Sequence, residues 1–239
     1  MAILSVDTSA AVSVSVLTDS GVELSSAHVP QERRHAEELT PLIVRTLDRA
    51  RCLPSDITTV VAGRGPAPFT GLRVGLVTAQ AFAFGVGATT VGVCSLDAIA
   101  AQAAYERGYK PGTRVMVLSD ARRKEVYYGH YQVGETTPEA PGGLPHLVTL
   151  DGPGVMRPQD LAQSGLLEQC VIIGRGADLY RDDMPADAID SEAPSVPSTT
   201  VLAQLACAAL ARGEDLPATP LYLRRPDAQV PAARKRATA

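Results

Sequence analysis

The residues able to do chemistry fall in a few short clusters. Asp7-Thr8-Ser9 closes one apolar run, and Asp120-Ala121-Arg122-Arg123-Lys124 closes another. A carboxylate with hydroxyls or cations at a strand end can hold Mg2+, while neighbouring backbone N–H groups take phosphate oxygens. Neither turn contains a glycine to let the backbone approach a phosphate closely. The cations Arg122, Arg123 and Lys124 can be read as an anion contact or as a solvated charged turn. Gly174-Arg175-Gly176-Ala177 follows an apolar stretch and could approach an adenosine, but a plain strand-to-loop turn has the same form.

His35 opens a His-Ala-Glu-Glu run. A helical metal site needs a second histidine one turn away, and that position is Leu39. His28, His130 and His146 share no spacing. Cys52, Cys94, Cys170 and Cys207 form no C-x-x-C pair and have apolar neighbours, the pattern of buried free thiols in a reducing compartment. No Ser-His-Asp or Cys-His grouping emerges from the spacing. No metal and no catalytic residue is therefore expected.

The elements that must position these residues follow from periodicity. Strands are predicted at 2–6, 11–17 and 22–29, where valines alternate with serines and Asp19-Ser20-Gly21 makes a hairpin turn. An amphipathic helix over 34–51 comes next, bent at Pro41, then a strand at 58–62. A helix over 71–84 capped by Thr70, a strand at 89–93 and a helix over 96–105 capped by Ser95 complete the first half. The second half runs strand 114–119, strand 125–133, strand 146–150, helix 158–168, strand 170–173 and helix 199–212. Both halves read β-β-β-α-β-α. The chain is thus an α/β protein of two similar lobes, 1–105 and 106–225, with a flexible basic tail at 226–239. The Gly/Pro-rich stretch 134–145 and the acidic stretch 178–197 read as mobile solvent loops.

Composition limits the function classes. Across 239 residues, 45% are hydrophobic, 20% are charged and the net charge is −4, which does not suit a chain that grips nucleic acid alone. Trp is absent and Phe numbers only 3, so the core must be built from Ala, Val, Leu and Ile. Met1 leads directly into the alternation of Ile3 to Val6. No leader and no membrane-crossing stretch is expected, and the expected location is cytoplasmic.

The helix over 71–84 carries Arg73 as its only charge. A helix apolar on nearly every side should be covered on nearly every side. Gly71, Gly75 and Ala79 form a small-residue stripe, which faces either the chain's own sheet or a partner helix.

Two β-β-β-α-β-α lobes resemble the duplicated actin-like, sugar-kinase (ASKHA, ribonuclease H-like) plan. Several segments also resemble the TsaB family of bacterial tRNA threonylcarbamoyladenosine biosynthesis proteins. They are Asp7-Thr8-Ser9, Glu32-Arg33-Arg34-His35-Ala36-Glu37 leading to Leu39-Thr40-Pro41-Leu42, and above all the run Arg64-Gly65-Pro66-Ala67-Pro68-Phe69-Thr70-Gly71-Leu72-Arg73-Val74-Gly75. Asp120-Ala121-Arg122 with Glu125-Val126-Tyr127, and Tyr222-Leu223-Arg224, complete the likeness. Ala67 departs from the family's usual glycine.

The resemblance implies a subunit without catalytic groups that pairs with the metal-containing paralogue TsaD through the first two helices. Residues His35, Glu38, Leu39, Leu42, Ile43 and Leu47 of the first helix, and Gly71, Leu72, Gly75, Leu76 and Ala79 of the second, are then the expected interface. It further implies work with the ATPase TsaE. The assembly transfers threonylcarbamoyl, delivered as an adenylate made by TsaC, to the adenosine 3' of the tRNA anticodon. ATP or ADP would bind in that assembly, and the chain alone could pair with itself. Asp7, Thr8, Ser9, Gly174 and Gly176 are the candidate nucleotide positions. The competing readings are an actin-like-fold ATPase or small-molecule kinase, a metalloprotease, and a homodimeric scaffold without an RNA role.

Overall fold

The structure is a computed structural model, and it describes residues 1–30, 35–136 and 140–224. In the first half, β1 (Ala2–Asp7), β2 (Val12–Thr18) and β3 (Glu23–Val29) form an antiparallel meander, as the alternation predicts. Next come α1 (His35–Ala50), β4 (Ile57–Gly63), α2 (Phe69–Val86), β5 (Thr89–Val93) and α3 (Ser95–Glu106). The first sheet has the order β3-β2-β1-β4-β5, with β4 parallel to both neighbours. All of β1 is buried, because this central strand has helices on both faces.

The second half supplies β6 (Arg114–Asp120), β7 (Val126–Val133), β8 (Leu147–Met156), α4 (Pro158–Gln163), β9 (Cys170–Ile173), α5 (Arg175–Leu179) and α6 (Thr199–Ala211). Its sheet has the order β8-β7-β6-β9, with β9 parallel to β6. Helix α4 is shorter than the expected 158–168, because the chain turns out of it before Gly165, where φ is +79°.

The sheets fall either side of residue 105, but their helices cross that line. Helices α1 and α2 cover one face of the first sheet, and α6, from the second half, covers the other. Helix α3, from the first half, lies on β6 and β7 and touches α6 behind. Its alanines 98, 100, 101, 103 and 104 are all buried, so it is slim enough to sit between a sheet and a helix.

Helix α1 runs through Pro41, as the apolar pattern predicts. Two cap expectations are corrected. Thr70 does not cap α2, since the cap position is Pro68 and Thr70 lies inside the first turn. Ser95 does not cap α3 either; Cys94 holds that position and the Ser95 hydroxyl is spent elsewhere. The acidic stretch 178–197 is pinned rather than loose. Asp190 Oδ2 accepts from Arg107 Nε at 2.9 Å and from the Tyr109 hydroxyl at 2.7 Å, and Glu192 pairs with Arg107 at 2.8 Å. The tail at 226–239 and residues 31–34 lie outside the described residues.

Candidate functional site

A cleft of about 540 Å³ lies between the lobes. Thr8, Ser9, Thr70 and the Pro66–Pro68 turn line it from the first lobe, and Ser119, Asp120, Arg122 and Arg175 from the second. It is where the sequence placed a phosphate cradle, so the atoms around Asp7 decide what it can hold.

The Asp7 carboxylate is turned inward and is 1% exposed. Its Oδ1 accepts from the Ser9 backbone N–H at 2.8 Å and the Ser9 hydroxyl at 2.6 Å. Its Oδ2 accepts from the Ser95 hydroxyl at 2.6 Å. A Cβ on Gly63 would stand 1.8 Å from that same oxygen, so the strand opposite is glycine to make room for the carboxylate. The Thr8 hydroxyl donates to the Gly71 carbonyl at 2.7 Å. Asp7 and Thr8 thus bind their own lobe together, and Asp7 has no oxygen directed at a metal in the cleft.

The second hairpin is tight. Arg122, Arg123 and Lys124 follow one another at φ of +63°, +56° and +60°, a left-handed run that side chains resist. Asp120 holds it, accepting from the Arg122 N–H at 2.7 Å and pairing with the Arg122 guanidinium at 3.1 Å. Arg224 clamps the other side, donating to the Ala121 carbonyl at 2.8 Å and pairing with Glu125.

Gly174 and Gly176 do not approach a ligand. A Cβ at Gly174 would lie 2.5 Å from the Leu118 carbonyl oxygen, and one at Gly176 would lie 2.9 Å from Leu118 backbone. Both are glycine so that α5 can press onto β6. Asp7 thus ties its own lobe together, and Gly174 and Gly176 serve the packing of α5 on β6. Of the nucleotide candidates only Thr8 and Ser9 line the cleft. These residues do not fit Mg-ATP as the active members of the fold would hold it. Among the described residues, no three His, Cys, Asp or Glu side chains gather as a metal site.

The expected interface residues are also placed. Leu39, Leu42, Ile43 and Leu47 of α1, and Leu72, Leu76 and Ala79 of α2, belong to the core of the first lobe and are at most 4% exposed. Gly75 faces the β1–β2 turn, where a Cβ would stand 2.3 Å from the Thr8 hydroxyl oxygen, and the Gly71 carbonyl accepts from that same hydroxyl. At Gly75 and Ala79 the small-residue stripe therefore meets the chain's own first lobe. Glu38 is half-buried, and the His35 side chain lies outside the described residues. The faces turned outward carry Val44 on α1 and Val77, Ala81 and Phe84 on α2. By length and composition α2 could cross a membrane, but its inner stripe is part of this core.

The long motif after β4 has a structural task. Segment 214–224 runs over it as a strap. The Arg64 guanidinium donates to the Pro217 carbonyl at 3.1 Å, the Leu221 N–H donates to the Arg64 carbonyl at 2.9 Å, and Gln80 donates to the Ala218 carbonyl at 3.2 Å. Phe69 stacks on Tyr222 with ring centres 4.7 Å apart, and Arg73 lies over both rings and donates to the Tyr222 hydroxyl at 2.9 Å. Ala67 is buried, and its carbonyl accepts from the Tyr127 hydroxyl across the lobes at 3.4 Å.

One pairing escaped the sequence. Cys170 Sγ lies 3.3 Å from His130 Nε2. The two are 40 residues apart and meet only because β9 and β7 flank β6. Burial pushes the Cys170 thiol up, and burial with the charge of Arg114 holds the His130 imidazole down. Both are kept neutral, which is not how a thiolate nucleophile and its base are arranged.

Fold and site define a two-lobed actin-like α/β protein whose first-lobe turn at Asp7 is closed by its own hydrogen bonds. Comparison with known proteins narrows this. Residues 27–229 match the model of the family described as TsaD, tRNA N6-adenosine threonylcarbamoyltransferase. The chain is 30% identical over 233 residues to the tRNA threonylcarbamoyladenosine biosynthesis protein TsaB of Escherichia coli, covering 94% of this chain and 95% of that one. It is 35% identical over 203 residues to an uncharacterized protein of Mycobacterium tuberculosis, covering 82% and 78%. The structure of YeaZ from Pseudomonas aeruginosa superposes with a TM-score of 0.75 at 32% identity, covering 93% of this chain and 99% of that one. The chain belongs to the TsaB family.

Proposed function

We propose that this chain serves the synthesis of threonylcarbamoyladenosine in tRNA as a subunit without catalytic groups of its own, paired with a TsaD-like catalytic subunit. The observation that carries this reading is the outward face of α1 and α2. Phe84 is 91% exposed, Val77 62% and Val44 52%. Val77, Ala81 and Phe84 recur at helical spacing, so they form one stripe, and α1 packs beside α2. A contiguous apolar patch of this kind marks a surface that is covered in the working state. The partner proposed shares the family model that this chain matches, so a matching helix pair on it can meet this one face to face.

The inward-turned Asp7 supports a supporting rather than a catalytic role. A TsaE-like ATPase, ATP or ADP, and tRNA would join only in the assembled complex, in the cytoplasm where tRNA is modified. The same patch would pair two copies of the chain when the partner is missing.

The test is Phe84→Glu. A charge at the centre of an apolar contact should weaken capture of the TsaD-like subunit by about tenfold or more. Circular dichroism and melting temperature should stay those of the parent, because this side chain touches no core. Undiminished capture would remove α2 from the interface.

A further inference from the structure

A second cleft, about 960 Å³ in volume, lies between α6, the strap and the loop that follows β7. The proposed pairing uses none of it. Its size is that of a ligand pocket. Part of the lining is polar. Asp97, in the first turn of α3, accepts the Tyr131 hydroxyl at 2.7 Å, and Tyr131 is 1% exposed. Cys94, at the N-cap position of the same helix, is 7% exposed and also lines the cleft. Arg64 stands on the same lining, held by the Pro217 carbonyl. Leu144, Leu205 and Leu216 supply apolar wall.

Two opposite charges therefore share one recess beside an aliphatic surface. Burial pushes the Asp97 carboxyl up, and the Tyr131 and Cys94 hydrogen bonds and the charge of Arg64 only partly offset this. A simple cation would meet Asp97 but be repelled by Arg64, and a simple anion would meet the reverse. A molecule carrying both charges satisfies both.

We propose that this cleft binds a free aliphatic amino acid, with its ammonium group on Asp97, its carboxylate toward Arg64 and its side chain on the leucines. Cys94 takes no covalent part. Burial and the neighbouring Asp97 keep its thiol protonated, so it acts as a hydrogen-bond donor. The inference stands apart from the pairing through α2, and failure of either leaves the other in place.

Calorimetric titration of the full chain with L-leucine tests it, with isoamylamine and 4-methylpentanoate as the matched cation and anion. Leucine should bind, and each single-charge analogue should bind at least about tenfold more weakly. Asp97→Asn keeps an acceptor for Tyr131 and should lose about the same factor. Ala208→Trp places a large ring in the cleft from α6, and should abolish binding while helical circular dichroism is kept. Absence of leucine binding, equal binding of either analogue, or leucine binding that survives in folded Ala208→Trp would each overturn the proposal.

Discussion

Gly63 and Gly75 are fixed by what stands opposite them. Gly63 leaves space for the Asp7 carboxylate, and Gly75 leaves space for the Thr8 hydroxyl. The two residues that a working phosphate site would turn outward are thus locked into a joint between β1, β4, α2 and α3. This joint changes what a substitution in the small-residue stripe should do. Gly75→Leu drives a branched side chain into the β1–β2 turn. Overpacking of this kind costs about 1–3 kcal/mol, which for a chain of this length lowers the melting temperature by roughly 2–12 °C. Ala81→Leu, on the exposed face of the same helix, should leave it unchanged. Differential scanning calorimetry on both variants decides the matter. If Gly75→Leu melts like the parent but no longer captures a TsaD-like subunit, the stripe faces the partner after all. The sequence showed that the stripe exists. It could not show which way it faces, because the alternation that buries β1 on both sides says nothing about which helix lies on which side.

At the scale of elements, strands and helices were legible wherever a period of two or of 3.6 was unbroken, as in β2 and α1. Connections were less so. Residues 178–197 looked like solvent loop because they are rich in Asp and Pro, yet Ile189 bridges to Ile172 at the edge of β9 and Asp190 is tied to the end of α3. Aspartates that pair with Arg107 and Tyr109, about eighty residues away in sequence, look the same on paper as aspartates in water. The pairing has a pH signature. Burial alone would raise the Asp190 carboxyl, but hydrogen bonds from Tyr109 and Arg107 outweigh it and hold it below its ordinary value. A carboxyl lowered in the folded state contributes stability above its unfolded value, near pH 4, and that contribution disappears as pH falls through the lower folded value. Asp190→Asn should therefore lower the urea midpoint at pH 7 and make the acid limb below about pH 4 shallower. Urea titrations across that range measure both. An unchanged midpoint with an unchanged acid limb would mean the contact contributes nothing in solution.

At the scale of the whole molecule, the two halves are not independent lobes in their packing. Helix α6 closes the back of the first sheet, α3 lies on the second, and the strap returns along the first lobe before Arg224 reaches the second-lobe hairpin. The repeat of β-β-β-α-β-α made two lobes legible, but exchange of helices leaves no local pattern, since an alanine-rich helix is equally at home against either sheet. The strap's role was half visible. Phe69, Arg73 and Tyr222 stood out as motif residues, but only the fold brings them into one stack. This arrangement predicts a sharp boundary for truncation. A chain ending at Arg225 should keep the parent's melting temperature, because every strap contact named above lies at or before Arg224. A chain ending at Asp215 loses the Leu216 carbonyl that accepts the Gly92 N–H at the edge of β5, the Phe69–Tyr222 stack, and Leu221 and Leu223 from the second core. Removal of two partly buried leucines, an aromatic stack and a set of hydrogen bonds should cost several kcal/mol, on the order of a third or more of a typical domain's stability. The shortened chain should therefore unfold at a much lower temperature or fail to accumulate folded. Thermal melts of the two truncations, followed by circular dichroism, separate the cases. Equal melting of both would show that the strap rides on the surface without holding the lobes together.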